Sequence, residues 1–375
     1  DRIVTNSTKG SIVSLAAKKC IIVRIPSVLT TFHGHINYYV IKIFVTTIFG
    51  AIAAMAGVLA EGSPSPSDEV RLMLMPAIGA LFATLAPLAY LLWPAKRRIA
   101  DGNAAVVLGV ADAEGRPLPG SEKLVRARSL ANYRTYGRFA AELLRLPSRS
   151  LKEIAADVDL SEAAFMDDFR ARGQAAIFVG FHAGNNELGA ASLGERKYDV
   201  NVVADDSAFP EMYELLRRLR AAWGIKVIDW KAIREVFSAL KRGGFIVLLS
   251  DWGYKPDGIP CQLFGRWTTL PSGPAVLSAR GNAPIVPFFV RRNAPGKFRI
   301  LFGAPIIVAD GSPAAQLRAT QETATAMENL MRTEPLQWNC FKPLWPGAAE
   351  QQALAEVAQR MANEKTAKPS STTPK

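Results

Sequence analysis

From residue 120 to residue 335 the apolar positions switch repeatedly between helical spacing and short unbroken runs. Residues 121–146 and 161–172 repeat apolar side chains every three or four positions. Ser121 and Ser161 are their caps, and Pro147 and Gly173 their stops. The runs 175–181 (AAIFVGF), 198–204 (YDVNVVA), 225–229 (IKVID), 245–250 (FIVLLS), 284–290 (PIVPFFV) and 297–303 (KFRILFG) are apolar without helical spacing, which predicts buried strands. Between them, helices are predicted over 210–223, 230–242, 272–280 and 314–333, most closed by glycine. Strand and helix in alternation define an α/β fold, a mostly parallel sheet flanked by helices.

The first hundred residues follow another pattern. Residues 43–60 and 72–93 carry no charge. The second run, as a helix, would reach roughly 33 Å, and the first about 27 Å, against a bilayer core of ~30 Å. Lys9, Lys18, Lys19, Arg24 and Lys42 precede the pair, and Lys96, Arg97 and Arg98 follow it. The connector between them carries Glu61, Asp68 and Glu69. This predicts an N-terminal helical membrane anchor over 41–94, either two spanning helices with both ends in the cytoplasm or one span with the other run a buried or re-entrant helix. The first methionine is Met55, so residues 1–40 are read as a leader or the interior of a longer protein, and His33 and His35 are set aside. A domain over 95–346 is expected to follow, then a C-terminal helix and disordered tail over 347–375.

Composition narrows the chemistry. The chain has 375 residues, 49% hydrophobic, with a formal net charge of +12. Three cysteines without a CxxC pair argue against a disulfide framework and a zinc module. The charge suits an acidic partner, namely nucleic acid, anionic membrane or acidic substrate, and no aromatic-rich RNA motif accompanies it. There is no GxSxG elbow, Walker A or GxGxxG.

One histidine is left beyond the anchor, His182, just after the predicted strand 175–181, where α/β proteins place ligands. Glu187 lies five residues on. In a helix beginning near Gly184 the carboxylate can approach the ring, fix its tautomer and leave the other nitrogen to take a proton from a hydroxyl. Gly184, Asn185 and the helix N-terminus are candidate oxyanion donors. Asp251 ends the run 245–250 and reads equally as a site acid or a turn residue. Arg266 and the Ser272-Gly273 pair belong to a small-residue loop ahead of a helix, able to hold a phosphate or a carbonyl. The stripe Arg217, Arg218, Arg220, Lys226 and Lys231 reads as a phosphate reader or a solvated face.

These residues resemble a known family. FVGFHAGNNELGA is similar to the GxHxGNxE segment of the lipid A biosynthesis acyltransferases, which include phosphatidylinositol mannoside acyltransferases and share a histidine-x4-acid motif with glycerol-3-phosphate acyltransferases. The likeness continues through LKRGGFIVLLSDWGY and QLFGRWTTLPSGPAVLSARGNAPIVPFFVRR to EPLQWNCFKPLWP, spanning roughly 95–346. It implies a glycerol-3-phosphate acyltransferase-like fold. It also implies transfer of a fatty acyl group from an acyl carrier protein or coenzyme A thioester to a lipid or glycolipid hydroxyl, at the cytoplasmic face of the bacterial inner membrane. No metal or other cofactor and no nucleic acid is implied. In this light His182 is the general base and Glu187 its orienting acid. Trp252 follows Asp251 where the family often has Gln. Two other readings use the same residues: a lipid hydrolase or thioesterase with water as acceptor, and a basic membrane adaptor without catalysis.

Overall fold

The computed structural model describes residues 84–204 and 210–364. All of the described residues belong to one compact unit. Residues 84–92 are helical. The helices that follow are α1 (Pro94–Val107), α2 (Glu122–Arg145), α3 (Leu151–Ala155), α4 (Ala164–Ala171), α5 (Asn186–Glu195), α6 (Pro210–Ala222), α7 (Ile233–Lys241), α8 (Gly273–Gly281), α9 (Pro313–Thr333) and α10 (Ala348–Asn363). The strands are β1 (Val158–Asp159), β2 (Ala176–Gly180), β3 (Val200–Ala204), β4 (Lys226–Asp229), β5 (Phe245–Leu249), β6 (Ile259–Leu263), β7 (Arg266–Leu270), β8 (Ile285–Ala294) and β9 (Lys297–Phe302).

Seven strands form one sheet in the order β1-β9-β8-β2-β5-β3-β4, and β6 and β7 form a separate antiparallel hairpin. The sheet is parallel except that β9 runs antiparallel to β8. A tight turn at Pro295 and Gly296 suffices to join β8 and β9, whereas parallel neighbours need a longer crossover. Alternate residues of the central strands serve opposite faces. Ile177, Val179, Ile246 and Ile285 pack against Val236 and Leu240 of α7, Leu277 of α8 and Ala315 and Ala319 of α9. Phe178, Val247, Phe288 and Val290 face α5 on the other side.

Three sequence expectations change. The segment around Arg266, read as a loop, is the β6–β7 hairpin, whose Thr268, Thr269 and Leu270 are buried. The helix expected from residue 230 starts at Ile233, because Asp229 takes the N–H of Lys231 in a turn. The expected membrane anchor is not supported: among the described residues no helix is long and apolar enough to cross a membrane. Residues 43–60 lie outside the described residues, as do His33, His35 and the tail beyond 364. Of the second uncharged run only 84–93 is described. There Ala86 and Tyr90 are buried, with Tyr90 edge-on to Tyr133 of α2 at 5.6 Å, while Leu88, Leu91 and Leu92 point outward.

Candidate active site

The centre of the sheet is where its connections diverge. From β2 the chain passes over β5 to reach β3. From β5 it passes over β2 to reach β8. Such a switch point leaves a crevice beyond the carboxyl ends of the two strands. Gly180 of β2 is in register with Leu249 of β5, so His182 and Asp251, each two residues further on, emerge side by side. The local sequence permits this. Gly184 has φ +61°, and a Cβ there would lie 1.7 Å from the Val290 carbonyl oxygen, so only glycine makes the turn into α5.

Asp251 is the carboxylate that meets His182. The ring Nδ1 lies 2.6 Å from Oδ1, and the His182 backbone N–H donates to both oxygens at 3.0 and 2.9 Å. The Trp338 indole N–H donates to Oδ2 at 2.8 Å. Trp338 in turn stacks on Phe181 at 5.3 Å, and the Asn339 N–H donates to the His182 carbonyl at 2.8 Å. Burial alone would push the Asp251 carboxyl up. The His182 ring and the Trp338 and backbone N–H groups outweigh it, and the carboxyl lies below its ordinary value. For His182, burial lowers and the Asp251 charge and hydrogen bond raise, with a net rise. An ionised Asp251 accepts the Nδ1 proton of a neutral ring. That leaves Nε2, which has no hydrogen-bond partner among the described residues, as the proton acceptor. The His182 side chain is 38% exposed and Asp251 only 1%, so the pair is a buried acid behind a reachable base.

Glu187 does not orient His182, contrary to the sequence expectation. It is the second residue of α5 and turns toward α6, where the Arg220 guanidinium grips it with two bonds of 3.0 and 2.6 Å. Both side chains of this ion pair are nearly buried. The sharp turn at Gly184 separates residues close in sequence. The carboxylate that contacts the ring lies 69 positions from His182 in sequence.

The expected oxyanion donors at Gly184 and Asn185 are also engaged. The Gly184 N–H donates to the Gln337 carbonyl and the Asn185 N–H to that of Val290. The Asn185 side chain caps α5 by accepting from the Leu188 N–H, and its amide donates to Glu142. Glu142 is held in turn by Arg292, whose backbone exchanges two bonds with the Gln337 side chain. These groups lock the start of α5. Asn186 spends its amide on the Phe181 carbonyl.

Arg266 lies elsewhere: its guanidinium clamps the carbonyls of Asp112 and Ala113. Ser272 and Gly273 begin α8 without a side-chain cap. Because α8 leads into β8, parallel to β2, this first turn lies at the same sheet edge as His182. Of the basic stripe, Arg220 is part of the site, while Arg217 and Arg218 pair with Glu214 on the surface. Cys261 is sealed in the core, its thiol pushed up to about 12 by burial.

Beneath Glu187 and Arg220 an apolar cavity runs between α5 and the sheet. It is partly open to solvent and lined by Phe178, Leu193, Val247, Phe288 and Ile300. Sequence reasoning missed Trp338 and this cavity. Gly189 and Ala190 of α5 line the cavity, and these small residues were its signal in the sequence.

The site thus brings together a histidine held by a buried carboxylate, a strand-end crevice and an apolar cavity. The pattern of the family described as Bacterial lipid A biosynthesis acyltransferase matches residues 69–346, and the chain belongs to that family. Phosphatidylinositol mannoside acyltransferases of two Mycobacterium tuberculosis strains are 21% and 23% identical to it over 238 residues, 61% of this chain and 74% of each relative. That of Mycolicibacterium smegmatis is 22% identical over 230 residues, 60% of this chain and 73% of the relative. The protein is an acyltransferase.

Proposed function

We propose that the enzyme moves a fatty acyl group from an acyl carrier protein or coenzyme A thioester to a hydroxyl of a glycolipid, such as a lipid A precursor. The proposal has His182 and Asp251 as its base and orienting acid. It is carried by one observation, the 2.6 Å contact between Nδ1 and a buried carboxylate. Neutral His182 takes the acceptor's hydroxyl proton at Nε2 as the oxygen attacks the thioester carbonyl. The C–O bond forms, the C–S bond breaks, and the imidazolium returns the proton to the leaving thiolate. Asp251 stabilises the imidazolium while it lasts. The first turn of α8, at Ser272 and Gly273, has uncapped N–H groups on the same edge and suits the carbonyl oxygen. The cavity beneath Glu187 and Arg220 takes the acyl chain.

The proposed setting is the cytoplasmic face of a bacterial inner membrane. Support comes from the uncharged runs 43–60 and 72–93, the outward Leu88, Leu91 and Leu92, and the basic residues after them. Lipid mass spectrometry of cells with and without the gene tests the function. The expected result is a glycolipid heavier by one acyl group only when the gene is present. Free fatty acid with no acylated lipid would instead mean that water is the acceptor.

A further inference from the structure

Trp252 follows the catalytic acid directly, and its indole is tilted 39° against the His182 ring, with centroids 5.7 Å apart. On the indole lies the Lys342 ammonium, 3.2 Å from the ring centroid. The lysine is delivered by a fixed stretch of chain. Its own carbonyl accepts from the Asn103 side chain at 2.9 Å, and the neighbouring Pro343 carbonyl accepts from the Tyr254 N–H at 2.8 Å. Gly253 closes this packing with φ +100°, and a Cβ there would lie 3.2 Å from the Lys342 Cβ. Trp252 is 37% exposed.

We propose that Lys342 and Trp252 are positioning residues for His182: the ammonium held on the indole opposes a second positive charge beside it and so keeps the imidazole a proton acceptor. This rests on His182 being the general base. Among the described residues, Asp251, Glu187 and Lys342 are the charged groups that act on His182. Asp251, beyond β5, favours the imidazolium, and Glu187 on α5 does so weakly because Arg220 on α6 neutralises it. Lys342, from the C-terminal segment, acts against both. With Asp251 alone the ring would hold its proton further into the working pH range and serve poorly as a base. The face of the indole attracts the ammonium and so fixes its distance from the imidazole.

The test is the titration of His182 in the full-length protein, measured by NMR of ¹⁵N-labelled histidine and assigned with His182→Gln. The two contacts put the ammonium within roughly 9 Å of the imidazole, where removing one charge moves a titration midpoint by about half to one pH unit. Lys342→Met is expected to raise the midpoint by that amount and to move the acid limb of kcat/KM equally, with the alkaline plateau nearly kept. Lys342→Arg, which keeps the charge, and Trp252→Phe, which keeps an aromatic face, should leave both near their wild-type values. Lys342→Gln replaces Lys342→Met if the latter fails to fold. An unchanged midpoint in a folded, uncharged Lys342 variant overturns the proposal. Because the titration is read without substrate, a shifted midpoint in a protein that transfers no acyl group would refute the proposed function and leave this inference standing.

Discussion

Asp251→Asn removes a charge from the site while nearly conserving the shape of the side chain. Three N–H groups converge on the carboxylate: the His182 backbone, its Nδ1, and the Trp338 indole. An amide offers one acceptor oxygen to three donors. If that oxygen keeps Nδ1, the new NH₂ faces the indole N–H, and a buried donor is left unsatisfied at a cost of about 1–3 kcal/mol. If the amide flips, its NH₂ donates to Nδ1 and forces the ring proton onto Nε2, where it blocks the base. Either way the imidazolium loses its counter-charge. By analogy with the same substitution in a catalytic triad, kcat should drop on the order of 10³–10⁴-fold, or about 4–5.5 kcal/mol of transition-state stabilisation. The assay is initial-rate transfer of a labelled acyl group from thioester to glycolipid, with thermal unfolding by circular dichroism as the folding control. A folded Asp251→Asn enzyme within tenfold of wild type would refute the assignment.

The same contacts predict three other outcomes. Because His182 is held above its ordinary value and must be neutral to act, kcat/KM should fall as pH drops through a midpoint above about 6.5, as a pH–rate profile would record. Glu187→Gln leaves the buried Arg220 guanidinium without its counter-ion and should cost roughly 3–5 kcal/mol in urea unfolding, with part regained in Glu187→Gln/Arg220→Met. Arg266→Met breaks the clamp on the Asp112 and Ala113 carbonyls and should lower stability by about 1–3 kcal/mol in the same assay while leaving kcat unchanged, since Arg266 holds the hairpin rather than substrate.

The α/β alternation was legible because each central strand is a short apolar run closed by glycine or a polar residue, as 175–181 and 245–250 are. The hairpin at 259–270 was not: its strands mix Pro260, Gln262, Arg266 and Thr268, and they are held by each other, β6 by α9 and β7 by α10, rather than by periodicity. α1 was missed because Pro94 and a run of three basic residues read as the flank of an anchor, not as a helix start, although Pro favours the first turn. At the site, His182 was readable as the only histidine at a strand end. Its partner was not, because proximity in sequence pointed to Glu187 while proximity in space is set by the β2–β5 register. The signal was present in that two buried strands each end two residues before a titratable side chain. The role of Trp338 depended on a chain segment that returns from far along the sequence and left no local trace.

The most direct measurement is acyl transfer by the purified full-length protein, wild type against His182→Ala, from a labelled acyl thioester to glycolipid in vesicles. The account predicts a labelled, acylated lipid with wild type and none above background with a folded His182→Ala variant. Equal product from both would contradict it.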